Sequence, residues 1–307
     1  MYLHNYARYW HGYLLYLKPL LLLLSWKHVV WLELAVQIAL MIWVMVTAVR
    51  KQNAGVAVVT LGSFLFMKPV LILVSLTMSV CWILTLLAVE YMLLHHDRLH
   101  EKGQDPEFFL IVGILTSYFD FLTYPIVTLG IPLCCYFLLE NDRVWNNIKR
   151  LISFCVSWGI GYAGMWAAKW VIADLTLHTG TIKDAIWSIL GRTEAIGGRP
   201  RMNGGFYVIG LNLREYPVYM GIAAGVLAAI AAGMLVMIII RGRWKEVFAQ
   251  LLPVVITAAI PFAWIIAVQH HSALHARFTF RILSVAAAAA ITFIVLTVKQ
   301  AKKSKKI

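Results

Sequence analysis

The chain has 307 residues, 61% of them apolar and 13% charged, with 27 Lys and Arg against 14 Asp and Glu. A soluble domain is about half apolar and a quarter charged, so this composition excludes a soluble globule, a disordered chain and a disulfide scaffold. It leaves an all-α, polytopic transmembrane helix bundle, because long unbroken apolar runs also exclude a membrane β-barrel of short alternating segments. The formal charge of +13 is scattered over many breaks between apolar runs. That distribution suits membrane-lipid headgroups as partners and argues against nucleic acid. Cys81, Cys134, Cys135 and Cys155 sit in apolar runs without metal-ligand spacing.

The first stretch, MYLHNYARYWHG, is aromatic and polar and lacks the order of a signal peptide. The apolar run Tyr13–Ser25 is interrupted by Lys18 and Pro19, which predicts an interfacial helix rather than a span. Beyond it, apolar runs between charged breaks predict nine membrane segments, at 29–49, 54–66, 69–94, 108–123, 125–139, 151–173, 218–240, 248–268 and 282–298. Segments 54–66, 108–123 and 125–139 are short for a hydrocarbon layer of about 30 Å and are expected to be tilted, kinked or re-entrant. Lys68-Pro69 and Tyr124-Pro125 mark two of the breaks. The tail 299–307 carries five lysines, which places the C-terminus in the cytoplasm and, with nine crossings, the N-terminus outside. The chain then reads as one membrane domain, 1–307, with an interfacial aromatic segment 1–28 and an outside loop 174–217. Within that loop Ile182–Leu190 has the pattern of a short amphipathic helix.

Four constellations on the outside face carry candidate chemistry. Between 269 and 281 the sequence QHHSALHARFTFR gathers His271, His275, Arg277 and Arg281, each pair at the spacing that shares a helix face. It reads as a cationic seat for phosphate, since arginine offers a planar fork to phosphate oxygens, or as an interfacial segment whose arginines reach headgroups. His271 and His275 make a divalent metal possible, although the glutamate of a metalloprotease helix is missing. Asp120, between Phe119 and Phe121, is a carboxylate in an apolar region: a general base or ligand, or a cap holding a turn. In WGIGYAGMWAAKW, Tyr162, Trp166, Lys169 and Trp170 form one helical stripe, either a sugar-stacking wall with an anion-binding lysine or part of the interfacial aromatic belt. Tyr9, Trp10 and His11 form a further aromatic wall near the N-terminus. No P-loop, nucleophile elbow or voltage-sensor pattern is present.

Taken in order, YARYWHGYLLYLKPLL, DPEFFLIVGILTSYFDFLTYPIVTLGIPL, WGIGYAGMWAAKW and HHSALHARFTFR resemble uncharacterised bacterial polytopic proteins, which in turn resemble the GT-C superfamily of membrane glycosyltransferases. That resemblance implies a bacterial plasma-membrane protein using a polyprenyl-phosphate-linked sugar for cell-envelope glycan or glycolipid synthesis. It implies a catalytic acid in the first outside loop and basic residues on the lipid phosphate. This sequence has no Asp or Glu before Glu33, so the resemblance leaves two expectations: a chain lacking the family's N-terminal helix, or a non-catalytic relative. Asp120 is then the candidate catalytic residue. Tyr9, Trp10, His11, Trp166, Lys169, His271, His275, Arg277 and Arg281 are the candidate substrate ligands. A transporter or flippase of a lipid-linked or anionic solute is the rival expectation.

Overall fold

The computed structural model describes residues 9–140, 144–178, 180–192, 204–240, 242 and 244–304. The glycine pair Gly197-Gly198, the basic residues Arg8, Arg143, Arg241 and Arg243, and the tail lysines Lys305 and Lys306 lie outside the described residues.

Among the described residues every regular element is helical. The chain begins with α1 (Leu14–Leu23) and α2 (Trp26–Arg50), followed by α3 (Ala54–Leu65), the short α4 (Pro69–Val74) and α5 (Leu76–Glu101). Next come α6 (Asp105–Phe119), α7 (Val127–Leu139) and α8 (Val144–Leu177), the longest. Two helices, α9 (Thr181–Arg192) and α10 (Gly205–Arg214), occupy the stretch read as a loop. The amphipathic pattern marks α9, whereas α10 has no signal beyond a glycine at its start. The remainder is α11 (Val218–Ile240), α12 (Trp244–Ala267), the short α13 (Gln269–Leu274) and α14 (Ala276–Thr279), a 3-10 turn at Phe280–Leu283, and α15 (Ser284–Ser304).

Among the described residues, five helical stretches are long and apolar enough to cross a membrane: α2, α5, α8, α11 and Ala276–Ala301. Each of the other apolar segments also forms a helix, but α3 and α7 have 12 and 13 residues, about 20 Å at 1.5 Å per residue. The medium-facing surface is apolar, as Leu22, Leu65, Ile160 and Ile240 illustrate. Enclosure separates the helices: 72% of the apolar window of α5 is buried inside the bundle, against 6% for α11. So α5 and the almost wholly buried α7 form the centre, with α2 and α6 against α5, while α11 sits at the edge beside α15.

Packing without a hydrophobic drive between helices depends on close backbone approach at small residues. Gly113 of α6 and Gly161 of α8 supply it. A Cβ on Gly113 would lie 2.2 Å from the Trp158 carbonyl oxygen, and one on Gly161 would lie 2.2 Å from that of Leu110. Phe109 stacks on Phe154 at 4.6 Å one layer away, so α6 and α8 run parallel.

Side-chain bonds define two ends of the bundle. At one end Asn53 Nδ2 donates to the Leu138 carbonyl at 3.2 Å and Lys299 Nζ donates to Asn53 Oδ1 at 3.1 Å. The same end holds a network absent from the sequence reading. His100 Nδ1 lies 3.2 Å from Asp105 Oδ2, Arg150 Nη2 donates to His100 Nε2 at 3.1 Å, and Arg150 Nη1 lies 3.4 Å from Glu140 Oε2. Its members come from α5, α6, α8 and the residue after α7, which no local pattern links. The opposite end gathers the candidate site.

Candidate functional site

The hub of this end is the turn between α6 and α7, residues 118–126. Asp120 builds it. The Thr123 backbone N–H donates to Asp120 Oδ2 at 3.0 Å and the Thr123 hydroxyl donates to Oδ1. Asp120 is buried and Leu122 takes a left-handed φ of 67° to close the turn. Below it, the Thr116 and Thr128 hydroxyls meet at 2.8 Å and Trp158 Nε1 donates to Thr128 Oγ1 at 3.1 Å, clipping α6, α7 and α8 together. The Tyr124 hydroxyl donates to the Met78 carbonyl, fastening the turn to α5. Both carboxylate oxygens of Asp120 are thus spent on the turn, the geometry of a cap rather than of a base open to a substrate.

The N-terminal aromatic segment lies over the turn. Gly12 N–H donates to the Tyr118 carbonyl at 3.0 Å, and a Cβ there would meet the Tyr118 ring at 2.4 Å, so only glycine permits this approach. Tyr9 lies edge-on to Phe121 at 6.3 Å and tilted against Trp166 at 5.8 Å. Trp10 Nε1 donates to the Met165 carbonyl at 2.7 Å, and Lys169 Nζ sits 5.1 Å from the Trp10 ring centroid. His11 packs on Phe121 at 5.4 Å. So Tyr9, Trp10, His11, Trp166 and Lys169, drawn from both ends of a 160-residue stretch of sequence, form one aromatic wall.

Burial, and next the charge of Lys169, lower the His11 pKa from its ordinary 6.5. A histidine lowered in the folded state stays neutral there, so its contribution is complete above 6.5 and is lost as pH falls through the folded value. Acidification below that range is therefore expected to loosen the 9–13 segment. A red shift of Trp fluorescence with falling pH that disappears in His11→Phe would show it, and an unchanged titration in His11→Phe would refute it.

On the other flank the 269–281 region touches the same turn. His271 Nε2 donates to the Leu122 carbonyl at 2.8 Å, and His271 and His275 have ring centroids 4.7 Å apart. The two arginines do not share a surface, contrary to the helical-face expectation. The chain breaks at His275 and passes through a 3-10 turn, leaving Arg277 exposed and Arg281 1% exposed. Arg281 Nη1 donates to the Arg277 carbonyl at 2.8 Å, and its guanidinium lies 4.7 Å from the Phe280 ring and 5.9 Å from that of Tyr124. Its Nε has no partner, and no ion pair among the described residues includes it. Nor are three or more His, Cys, Asp or Glu side chains grouped for a metal among the described residues.

Several residues of this site escape sequence reading. Lys68 stands half-buried with a left-handed φ of 53° just before Pro69, and its Nζ lies 4.9 Å from the same Phe280 ring. Two cations from separate elements therefore approach one aromatic ring. The fully buried Asn212 of α10 donates to the Ser272 carbonyl at 3.1 Å and accepts from Thr279 Oγ1 at 2.7 Å, pinning the 269–281 region in place. The Tyr216 hydroxyl donates to the Phe280 carbonyl at 3.4 Å. Lys68 beside proline between two apolar runs, and Asn212 alone in GFYVIGLNLR, were the available signals. Compared with protein-family models, curated proteins and solved structures, the chain matches none of them.

Proposed function

We propose that the protein is a membrane-embedded, glycosyltransferase-like protein that seats the phosphate of a polyprenyl-phosphate-linked sugar for cell-envelope glycan or glycolipid synthesis. What carries this reading is Arg281, a buried guanidinium with an unpartnered Nε and no carboxylate contact among the described residues. Such a charge calls for an anion, and the arginine fork matches phosphate oxygens. Lys68, on the same Phe280 ring, supplies the second positive charge. The sugar lies against the wall of Tyr9, Trp10, His11 and Trp166, where aromatic faces and Lys169 offer stacking and a donor. His271, His275 and Arg277 line the approach. Asp120 holds the turn between wall and seat, and acts as a base only where the Thr123 bonds release. In this reading the nine apolar segments all cross or enter a bacterial plasma membrane, with α3, α6 and α7 tilted or re-entrant. The basic tail then faces the cytoplasm and the hub end faces outward.

The test uses purified protein in proteoliposomes with polyprenyl-phosphate carrying a labelled sugar. Wild type is expected to retain the lipid and pass label to an acceptor. Lys68→Gln is expected to weaken retention about tenfold, one charge-assisted contact. Equal retention of the neutral polyprenol would overturn the phosphate seat. Movement of the labelled lipid between leaflets without transfer would assign the seat to translocation instead.

A further inference from the structure

At the network end, on a different face from the hub, α2, α5 and α6 enclose a cleft of 680 Å³ that the proposed function does not use. Its walls are apolar, and Trp43, Tyr91 and Ile111 at its rim are exposed, so the cleft opens sideways along helices built for a membrane. Leu84 and Leu87 are shared with a second, smaller cleft of 280 Å³ further along α5, which extends the apolar track toward the other end of the bundle. A groove of this size, shape and surroundings fits a lipid chain.

One polar group breaks the apolar lining inside the bundle. Glu90 is 2% exposed and lines the cleft. The Thr47 hydroxyl donates to its Oε1 at 2.6 Å, while Oε2 has no partner. No ion pair among the described residues includes it. A carboxyl at this depth, with one oxygen left over, wants a donor from whatever fills the cleft. Glu90 lies about 6 Å along the helix from Leu94, where the apolar run ends. At the mouth stand His95, Gln104 and the exposed Glu107, which adds a second carboxyl group. The lining therefore pairs acidic groups at one end with a hydrocarbon track at the other.

We propose that this cleft binds a membrane lipid with a primary ammonium headgroup. The chain runs along Leu84, Leu87 and Ile111, and the ammonium passes Glu107 to donate to Glu90 Oε2. An ammonium carries three N–H donors and a positive charge, and so meets both needs of Glu90. A quaternary ammonium has the charge but no N–H donor, and an anionic glycerol headgroup has hydroxyl donors but no positive charge.

The delipidated protein in detergent is titrated with phosphatidylethanolamine, phosphatidylcholine and phosphatidylglycerol of matched chains, and retained lipid is read by native mass spectrometry. Ethanolamine lipid is expected to bind about tenfold tighter than the choline lipid, with Glu90→Gln erasing that preference. Ile111→Trp, which fills the groove and leaves the Glu90 carboxyl in place, is expected to lower retention of the ethanolamine lipid and keeps the proposal testable should Glu90→Gln fail to fold. Equal binding of the three lipids would overturn the proposal. So would a preference that survives Glu90→Gln, or soluble ethanolamine displacing the lipid at equal concentration. None of these outcomes touches the Arg281 seat, so the two readings fail separately.

Discussion

Gly161→Leu is expected to lower the stability of the bundle by about 3 kcal/mol or more, the upper range for overpacking, because the obstacle is backbone and not a side chain that can turn aside. Even a Cβ at this position falls 2.2 Å from the Leu110 carbonyl oxygen and 3.1 Å from the Ile114 nitrogen. The helices must separate, and separation costs the dispersion contacts and close approach on which membrane helices rely. Gly113 presents the reciprocal constraint, with the Trp158 carbonyl oxygen at 2.2 Å. The same helix provides the control. Gly164 has nothing within 4 Å of a built Cβ, so Gly164→Leu should change stability by less than about 0.5 kcal/mol. Thermal unfolding in one detergent, followed for both variants, decides the matter. Equal midpoints for Gly161→Leu and Gly164→Leu would contradict the crossing described above. The consequence reaches the hub, because α6 ends in the 118–126 turn and α8 carries Trp166 and Lys169. Spreading α6 from α8 pulls the aromatic wall off the turn, so phosphate-lipid retention should fall together with the melting point.

How far the sequence reveals this arrangement depends on the range of the interactions involved. Apolar runs and their breaks are local, and they mark the helices well: Lys68-Pro69 opens α4 after α3 ends, and Tyr124-Pro125 falls between α6 and α7. Length and composition together select five stretches able to cross a membrane among the described residues. Helix α8 runs beyond the expected 151–173 at both ends: Asn147 and Arg150 find partners at the network end, and at the other end Asp174 accepts from the Thr181 and Ile182 backbone N–H groups. The gathering of Tyr9, Trp10, His11, Trp166, Lys169 and His271 about one turn follows from a shared side of the membrane, but the contacts themselves reach as far along the sequence as Trp10 to Lys169. Periodicity also misleads where the backbone leaves the α-helix. The spacing of Arg277 and Arg281 suggests one face, yet the 3-10 turn sends one outward and buries the other. Asp120 carries a different lesson. A lone acid among aromatics reads as functional or structural with equal ease, and only its two bonds from Thr123 show that the turn consumes it.

Arg281→Met is expected to leave the ligand-free protein as stable as wild type or to stabilise it, by about 1–4 kcal/mol, while removing anion binding. The sign follows from the surroundings. A buried charge loses several kcal/mol of hydration that only good partners return. Arg281 has the Arg277 carbonyl at 2.8 Å, the Phe278 carbonyl at 3.5 Å and the faces of Phe280 and Tyr124. These contacts recover part of the cost, cation–π contacts contributing about 0.5–2 kcal/mol each. Nε remains unpartnered and no counter-ion touches the group among the described residues. Methionine fills a similar volume, so the guanidinium is exchanged for packing rather than for a cavity. Polyprenyl phosphate should raise the melting point of wild type by linkage and leave that of Arg281→Met unmoved, with affinity down about a hundredfold for the lost fork. Arg281→Lys keeps the charge but loses the paired donors, and an intermediate loss of about tenfold is expected. A residue that merely clamps the 3-10 turn behaves in the opposite way: its removal lowers the ligand-free melting point by several degrees and spares the affinity. Measuring both quantities on the same two variants therefore separates a ligand's seat from a structural pin, because only a seat holds strain in the empty protein that its anion relieves.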